Sequence, residues 1–279
     1  MKILLVGRNG QVGRELARSL APLGEVQALG REQLELTDPN AIRKTVRAAA
    51  PEVIVSAAAY TAVDRAESEP DLAFSVNANA PGVLAAEAAR LGALLVHYST
   101  DYVFDGAKSG PYTEADVPHP LNVYGASKLA GEQAIAASGC RFLILRTSWV
   151  YGPHGSNFML TILRAARERP QLRVVDDQVG APTSSLAIAR ATAQVLRAGG
   201  EGLYHMSAGG KTSWCGFARA ILARARLETP VVPIRSDEYP AAARRPRNSL
   251  LDNSRLGATF GVTLAPWEEG LAELPFAQP

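Results

Sequence analysis

The segment Gly7-Arg8-Asn9-Gly10-Gln11-Val12-Gly13 constrains this chain more than any other, because it follows an apolar run, Lys2–Val6, and opens a helical pattern. Glycines at this spacing suit a tight turn, a close approach of backbone to phosphate, and close packing of helix on strand. The helix N-terminus then offers N–H donors to an anion. The turn therefore predicts a βαβ unit that binds a dinucleotide, with Gly7, Gly10 and Gly13 holding the pyrophosphate.

The first half of the chain repeats that alternation. Strand candidates are Lys2–Val6, Glu25–Leu29, Val53–Ser56, Leu94–Ser99 and Phe142–Arg146, short apolar runs of the kind buried on both faces of a parallel sheet. Asp38 followed by Pro39 reads as a helix N-cap with proline in the first turn, and Pro51 closes that helix after Ala50. The Ala-rich stretch Pro81–Arg90 repeats the logic, with Gly92 as its cap. Beyond Trp149 the loops lengthen around helices near Phe158–Glu168, Ser185–Arg197 and Ser213–Ala225 and a strand at Leu203–Met206. The expected fold is α/β, a Rossmann-type doubly wound parallel sheet with a smaller, partly discontinuous α/β substrate lobe. Residues 1–150 form the cofactor domain, joined by later segments, and 151–279 mainly the substrate lobe. A cleft is expected at the carboxyl ends of the strands.

Composition excludes several function classes. With 279 residues, 47% hydrophobic and 20% charged, the chain has the make-up of an ordinary globular protein. A net charge of +2 is too small to imply a nucleic-acid or membrane partner, although Arg244, Arg245 and Arg247 form a local basic run. Cys140 and Cys215 are too few for a disulfide framework or a metal knuckle. No apolar stretch approaches the roughly 20 residues that span a bilayer, and Lys2 leads straight into the first strand without a signal-peptide pattern. The cytoplasm is the expected compartment and a small anionic molecule the expected ligand.

Tyr124-Gly125-Ala126-Ser127-Lys128 places a phenol and an ammonium four residues apart, on one face of a helix. A phenol titrates near pH 10, and a nearby cation favours its ionised form, so Tyr124 is expected to exchange a proton with a carbonyl oxygen. Lys128 can also bond the nicotinamide ribose. An isolated pair at this spacing is more often an ordinary amphipathic helix. Here the strand Leu94–Ser99 runs into Thr100-Asp101-Tyr102, and a hydroxyl at the carboxyl end of a strand is well placed to meet a substrate oxygen.

These elements together resemble the extended short-chain dehydrogenase/reductase family, whose Ser/Thr, Tyr and Lys set maps onto Thr100, Tyr124 and Lys128. Longer stretches resemble the dTDP-4-dehydrorhamnose reductases within it: Ser56 through Glu67, His97 through Phe104, Leu121 through Glu132, Arg146 through Tyr151, Asn157-Phe158, Asp177 through Thr183, Gly202 through His205 and Ala243 through Pro246. The resemblance implies hydride transfer from the reduced nicotinamide to carbon 4 of dTDP-4-dehydro-L-rhamnose, giving dTDP-L-rhamnose, with Tyr124 as proton donor and reduction of another dTDP-4-keto-6-deoxysugar as the alternative. It also implies cofactor contacts at Gly10, Gln11, Val12, Ala58, Ala59, Tyr60, Thr61, Tyr98, Tyr124 and Lys128, with Glu35 and Leu36 beside the adenine. Sugar contacts fall on Thr100, Asp101 and Trp149, and Arg244 and Arg245 suit the diphosphate. A homodimer is a further possibility for such a chain.

Cofactor choice is left open by the residues themselves. Strand two ends in Leu29-Gly30-Arg31-Glu32, and Gly30 occupies a position that is aspartate in some members. The acid that meets a ribose hydroxyl is missing there, and Arg31 suits a 2′-phosphate, which favours NADPH, with NADH as an alternative. No metal is expected: His97, His119, His154 and His205 lack ligand spacing, His97 reads as a satisfied core residue, and Glu15 as a solvated glutamate. Two rival readings stand beside the reductase. A dehydratase or epimerase shares the glycine turn and the Tyr/Lys pair, but dehydratases carry Asp-Glu where this chain has Asp101-Tyr102. A non-catalytic subunit resembling the regulatory subunit of methionine adenosyltransferase uses the same fold for interaction.

Overall fold

The computed structural model describes residues 1–274, and the last five positions of the expected second lobe, 275–279, lie outside them. The first half runs β1 (Lys2–Val6), α1 (Gln11–Ser19), β2 (Glu25–Leu29), α2 (Pro39–Ala49), β3 (Val53–Ser56), α3 (Val63–Ala66), α4 (Pro70–Phe74), α5 (Ala80–Leu91), β4 (Leu94–Thr100), α6 (Val123–Ala137) and β5 (Arg141–Thr147). There follow β6 (Val150–Tyr151), α7 (Phe158–Glu168), β7 (Leu172–Val175), β8 (Val179–Gly180), β9 (Thr183–Ser184), α8 (Ser185–Arg197), β10 (Gly202–His205), β11 (Thr212–Ser213), α9 (Trp214–Ala225), β12 (Val231–Ile234), α10 (Ser254–Phe260) and α11 (Trp267–Glu273).

Six strands pair in the order β10-β5-β4-β3-β1-β2, all parallel. Strand side chains alternate between faces, and the sequence supplies an apolar residue to each. Ile3, Leu5, Val53, Val55, Val96 and Leu145 face one core, which α1, α8 and α10 cover with Leu16, Leu20, Ile188 and Leu256. Leu4, Val6, Ile54, Leu95 and Ile144 face the other, covered by Ile42 and Val46 of α2, Leu84 and Ala88 of α5 and Ile135 of α6. This double cover explains why the inner strands β1, β3 and β4 read as near-continuous apolar runs, whereas the edge strand β2, Glu25-Val26-Gln27-Ala28-Leu29, alternates.

Local signals set the helix ends. The Asp38 carboxylate accepts from the N–H groups of Asn40 and Ala41, a cap worth about 1 kcal/mol, and Pro39 fills the first turn. Before α5, the stretch 63–79, to which the sequence reading assigns no element, folds as α3, α4 and a π-type turn at Ser75–Asn79. The smaller lobe packs α7, α9 and α11 around Tyr151, Met159, Ile162, Phe217, Ile221 and Trp267, with β12 beside β7. Helix α8 and strand β10 leave that stretch of sequence and join the large sheet, β10 alongside β5.

Candidate active site

The glycine turn is stitched to the sheet by two donors, since the N–H groups of Gly7 and Arg8 both bond the Leu29 carbonyl at the end of β2. Gly7 has φ +93°, and a Cβ there would lie 2.6 Å from the Ala58 nitrogen. A Cβ on Gly13 would collide with the Gly7 carbonyl oxygen, so helix α1 can start this close to the turn only without a side chain. Gly10 caps α1 and no side chain satisfies the helix's first N–H groups, which stay available to an anion. Gln11 receives a 2.8 Å bond from Asn157, the residue that caps α7, and Val12 packs against the core. The turn thus contacts both lobes.

The loop that follows β3 and contains Ala58, Ala59, Tyr60 and Thr61 is fixed by a residue that the sequence did not single out. Buried Asn77 accepts from the Tyr60 N–H at 2.8 Å, donates to the Tyr60 carbonyl at 3.0 Å, and donates to Ser127 of α6 at 3.0 Å. One amide therefore ties the expected cofactor loop to the helix that carries Tyr124 and Lys128. The Tyr60 hydroxyl donates to Glu69.

At the carboxyl end of β4, Thr100 donates to the Asp101 carboxylate and accepts from the Tyr102 N–H, both at 3.1 Å. Burial raises the Asp101 carboxyl to about 6, against hydrogen bonds from Ser249 and Thr100. Tyr124 lies edge-on to Tyr102, ring centres 5.7 Å apart. Burial pushes the Tyr124 phenol up to about 12, opposed by a hydrogen bond with Thr100 and reinforced by the charge of Asp101. The expected lowering by Lys128 is absent because the ammonium points elsewhere. Lys128 Nζ donates to the Tyr98 carbonyl at 2.6 Å and lies 3.1 Å from His97 Nε2. An ammonium only donates, so Nε2 accepts and the imidazole proton sits on Nδ1, where no partner meets it. Burial pulls Lys128 down to about 8, with Glu132 opposing. His97, read from sequence as a satisfied core residue, is instead a half-satisfied support for Lys128. The Tyr98 hydroxyl is shared with Thr192 of α8 at 2.8 Å.

Thr147 is the register partner of Thr100, so Trp149 stands two residues past the level of the hydroxyl. Its backbone has φ +47°, an uncommon value for a bulky residue. One face of its indole stacks on Trp214 at 3.5 Å between ring centres, the planes 6° apart. A Cβ on Gly180 would lie 2.7 Å from both Cζ2 and Nε1 and closer still to Cε2, which places the glycine over the other face. An approach in the ring plane would bring the flanking atoms nearer than Cε2. Trp149 is sandwiched and has only its edge left for a ligand.

Arg245 reaches the same region through a 2.6 Å bond to Asp64, whose other oxygen accepts from the Ala243 N–H at 3.1 Å. Burial pushes Tyr102 above its ordinary range, with Arg245 opposing, which puts the guanidinium beside the tyrosine pair. Arg244 is exposed, and its carbonyl accepts from Asn122 at 2.7 Å. Arg31 is exposed and bonds Glu35 at 2.9 Å, whereas Leu36 is buried in the core beneath β2. Glu15 is not solvated: it is 5% exposed, 3.4 Å from Arg18 and 4.0 Å from His154. Thr100, Asp101, Tyr124, Lys128 and Trp149 come together at the ends of β4 and β5. Arg31 and Glu35 stand apart beyond β2, and Arg245 at the rim.

The chain is similar to known proteins over almost its whole length. The family described as RmlD substrate binding domain matches residues 1–276. The dTDP-4-dehydrorhamnose reductase of Burkholderia thailandensis is 51% identical, covering 96% of this chain and 95% of that one, and the Salmonella typhimurium reductase is 44% identical over 98% and 97%. The crystal structure of dTDP-4-dehydrorhamnose reductase from Bacillus anthracis in complex with NADP superposes with a TM-score of 0.95 at 37% identity, covering 98% of this chain and 99% of that one. UDP-glucose 4-epimerase from Thermus thermophilus, 23% identical with a TM-score of 0.83, shares the fold. From the turn at Gly7 to the arginines near the C-terminus, this chain belongs to the dTDP-4-dehydrorhamnose reductase family.

Proposed function

We propose that this chain reduces dTDP-4-dehydro-L-rhamnose to dTDP-L-rhamnose with NADPH as the reductant, residues 1–150 with α8 and β10 holding the cofactor and the remaining segments mainly the sugar nucleotide. The observation that carries the reading is the cluster of Thr100, Tyr124 and Lys128 at the sheet's carboxyl edge, in a chain 51% identical to one dTDP-4-dehydrorhamnose reductase and 44% identical to another. A dinucleotide fits the residues present. Gly7 and Gly13 leave the space a Cβ would fill, and the first N–H groups of α1 are uncapped. The bound nicotinamide supplies a hydride to carbon 4 of the ketone.

The protein's own part is to polarise the carbonyl and deliver a proton. Thr100 and Tyr124 converge on the carbonyl oxygen, and Tyr124 gives up its hydroxyl proton as the C–O double bond becomes single. A phenol held near 12 is fully protonated at neutral pH, the form reduction needs. Transfer is downhill, because a developing alkoxide is about as basic as hydroxide, whose parent water has a pKa of about 15.7. The resulting phenolate regains its proton from solvent. Lys128 can turn from the Tyr98 carbonyl to the ribose. Trp149 offers the sugar an edge, and Arg245 bonds the diphosphate once it is released from Asp64. Asp101-Tyr102 supports reduction over dehydration, since Tyr102 packs on Tyr124 where a second carboxylate would be needed.

Tyr124→Phe tests this directly. Turnover is expected to fall by about 10²- to 10⁴-fold while NADPH binding stays within about twofold of wild type. Unchanged turnover removes the mechanism. A wild-type chain that binds NADPH but yields no dTDP-L-rhamnose from the keto sugar removes the function and favours the non-catalytic subunit. No helix among the described residues is long and apolar enough to cross a membrane, and a cytoplasmic location is part of the same proposal.

A further inference from the structure

The space above Gly30 is already filled by a carboxylate from elsewhere. A Cβ built on Gly30 would lie 2.5 Å from Glu32 Oε1, closer to Oε2, and 2.6 Å from Asn9 Nδ2. Two residues of the glycine turn hold that carboxylate: Arg8 Nη2 donates to Oε1 at 2.9 Å and Asn9 Nδ2 to Oε2 at 3.2 Å. Gln33 accepts from the Gly30 N–H at 3.0 Å, which fixes the backbone beneath. Arg31, two residues past β2, pairs with Glu35 at 2.9 Å. Each arginine suited to an extra phosphate at this edge therefore starts with a carboxylate partner.

In dinucleotide-binding βαβ folds, an acid just past the second strand accepts from the adenosine ribose 2′-hydroxyl, and an arginine there accommodates a 2′-phosphate. The geometry points to Glu32 as the selectivity residue of this chain: its carboxylate, folded back over Gly30, meets the ribose 2′-hydroxyl of NADH and must leave that place for the 2′-phosphate of NADPH. The inference rests on the dinucleotide reading proposed above. When Glu32 leaves, Arg8 and Arg31 exchange carboxylate partners for the phosphate. That exchange is cheap, because exposed ion pairs of this kind are weak. Glu32 is held below the usual carboxylate range by its own backbone N–H and by Arg8, so it is ionised at neutral pH and repels the phosphate while it remains.

The test is direct binding of NADPH and NADH to the full chain by titration calorimetry, for wild type, Glu32→Ala and Glu32→Gln, with far-UV circular dichroism to confirm folding. The ratio of the NADH to the NADPH dissociation constant is expected to rise about tenfold in Glu32→Ala, NADPH tightening and NADH weakening. Glu32→Gln keeps a group that can accept from the hydroxyl and loses the charge, so NADPH tightens while NADH stays within about threefold. A ratio within about twofold of wild type in folded Glu32→Ala, with both nucleotides bound, overturns the role of Glu32 alone. A wild-type chain that binds neither nucleotide overturns the dinucleotide reading and this inference with it.

Discussion

Replacing Lys128 by methionine should make the protein more stable at pH 7 and less stable at pH 10, while removing its turnover. The Lys128 side chain is buried, and burial pulls its ammonium from 10.5 down to about 8. A base with a lowered folded-state value binds protons less well folded than unfolded, so ionisation opposes folding wherever the ammonium is charged. That cost is fully present below pH 8 and disappears as pH rises from 8 to 10.5. It amounts to about 3 kcal/mol at pH 7, about 2 at pH 9 and under about 1 at pH 10. Methionine has similar length and no charge, but it leaves the Tyr98 carbonyl and His97 Nε2 without their donor, which costs about 1 kcal/mol each. The net change is a gain of about 1 kcal/mol at pH 7 and a loss of similar size at pH 10. Urea denaturation of both proteins at each pH measures it, and taking the difference cancels other titrating groups, among them the buried tyrosines. A variant less stable than wild type at pH 7, or a difference that does not change sign between pH 7 and 10, refutes the argument.

Two other outcomes follow from buried contacts around the site. Glu132 and Arg146 form a two-bond ion pair, 2.9 and 2.6 Å, with side chains only 5% and 4% exposed, so Glu132→Gln leaves a buried guanidinium poorly matched and should cost about 3–5 kcal/mol in urea denaturation. Trp214→Ala removes the ring that stacks on Trp149, an interaction of about 0.5–1.5 kcal/mol, and should lower kcat/KM for the sugar nucleotide by up to about tenfold with NADPH affinity unchanged.

Much of the fold was legible because local signals decide it. The inner strands β1, β3, β4 and β5 were marked by apolar runs bounded by turn residues, and Asp38-Pro39 and Gly92 mark helix ends by capping chemistry that needs no distant partner. The stretch 63–79 was opaque because its short helices have no face wide enough to show a period. The site divided in the same way. That Thr100 ends β4 and that Tyr124 and Lys128 share helix α6 was readable from spacing and strand position. What their side chains bond was not, since His97 and Asn77 meet α6 across 31 and 50 residues and Asp64 meets Arg245 across 181. That is why a lowered pKa for Tyr124 was expected and a raised one found: the lysine has the right spacing but a nearer pair of acceptors. Trp149 was placed correctly at the end of β5, yet no spacing rule could show that Gly180 and Trp214 cover both its faces.

The return of α8 and β10 to the large sheet has a consequence for how the chain is made. The first five strands leave the ribosome early, but one side of their sheet then has only α1 to cover it, and β5 remains an open edge. Ile188, Ala191 and Val195 arrive later, Tyr204 and Met206 later still, and Leu256, Val262 and Leu264 close the same core near the end of synthesis. A nascent chain that has reached only Tyr151 therefore presents an apolar sheet face and an unpaired strand, the features that attract chaperones and aggregating neighbours. The half of the sequence that reads as a self-contained nucleotide-binding unit acquires its cover from the half that follows it.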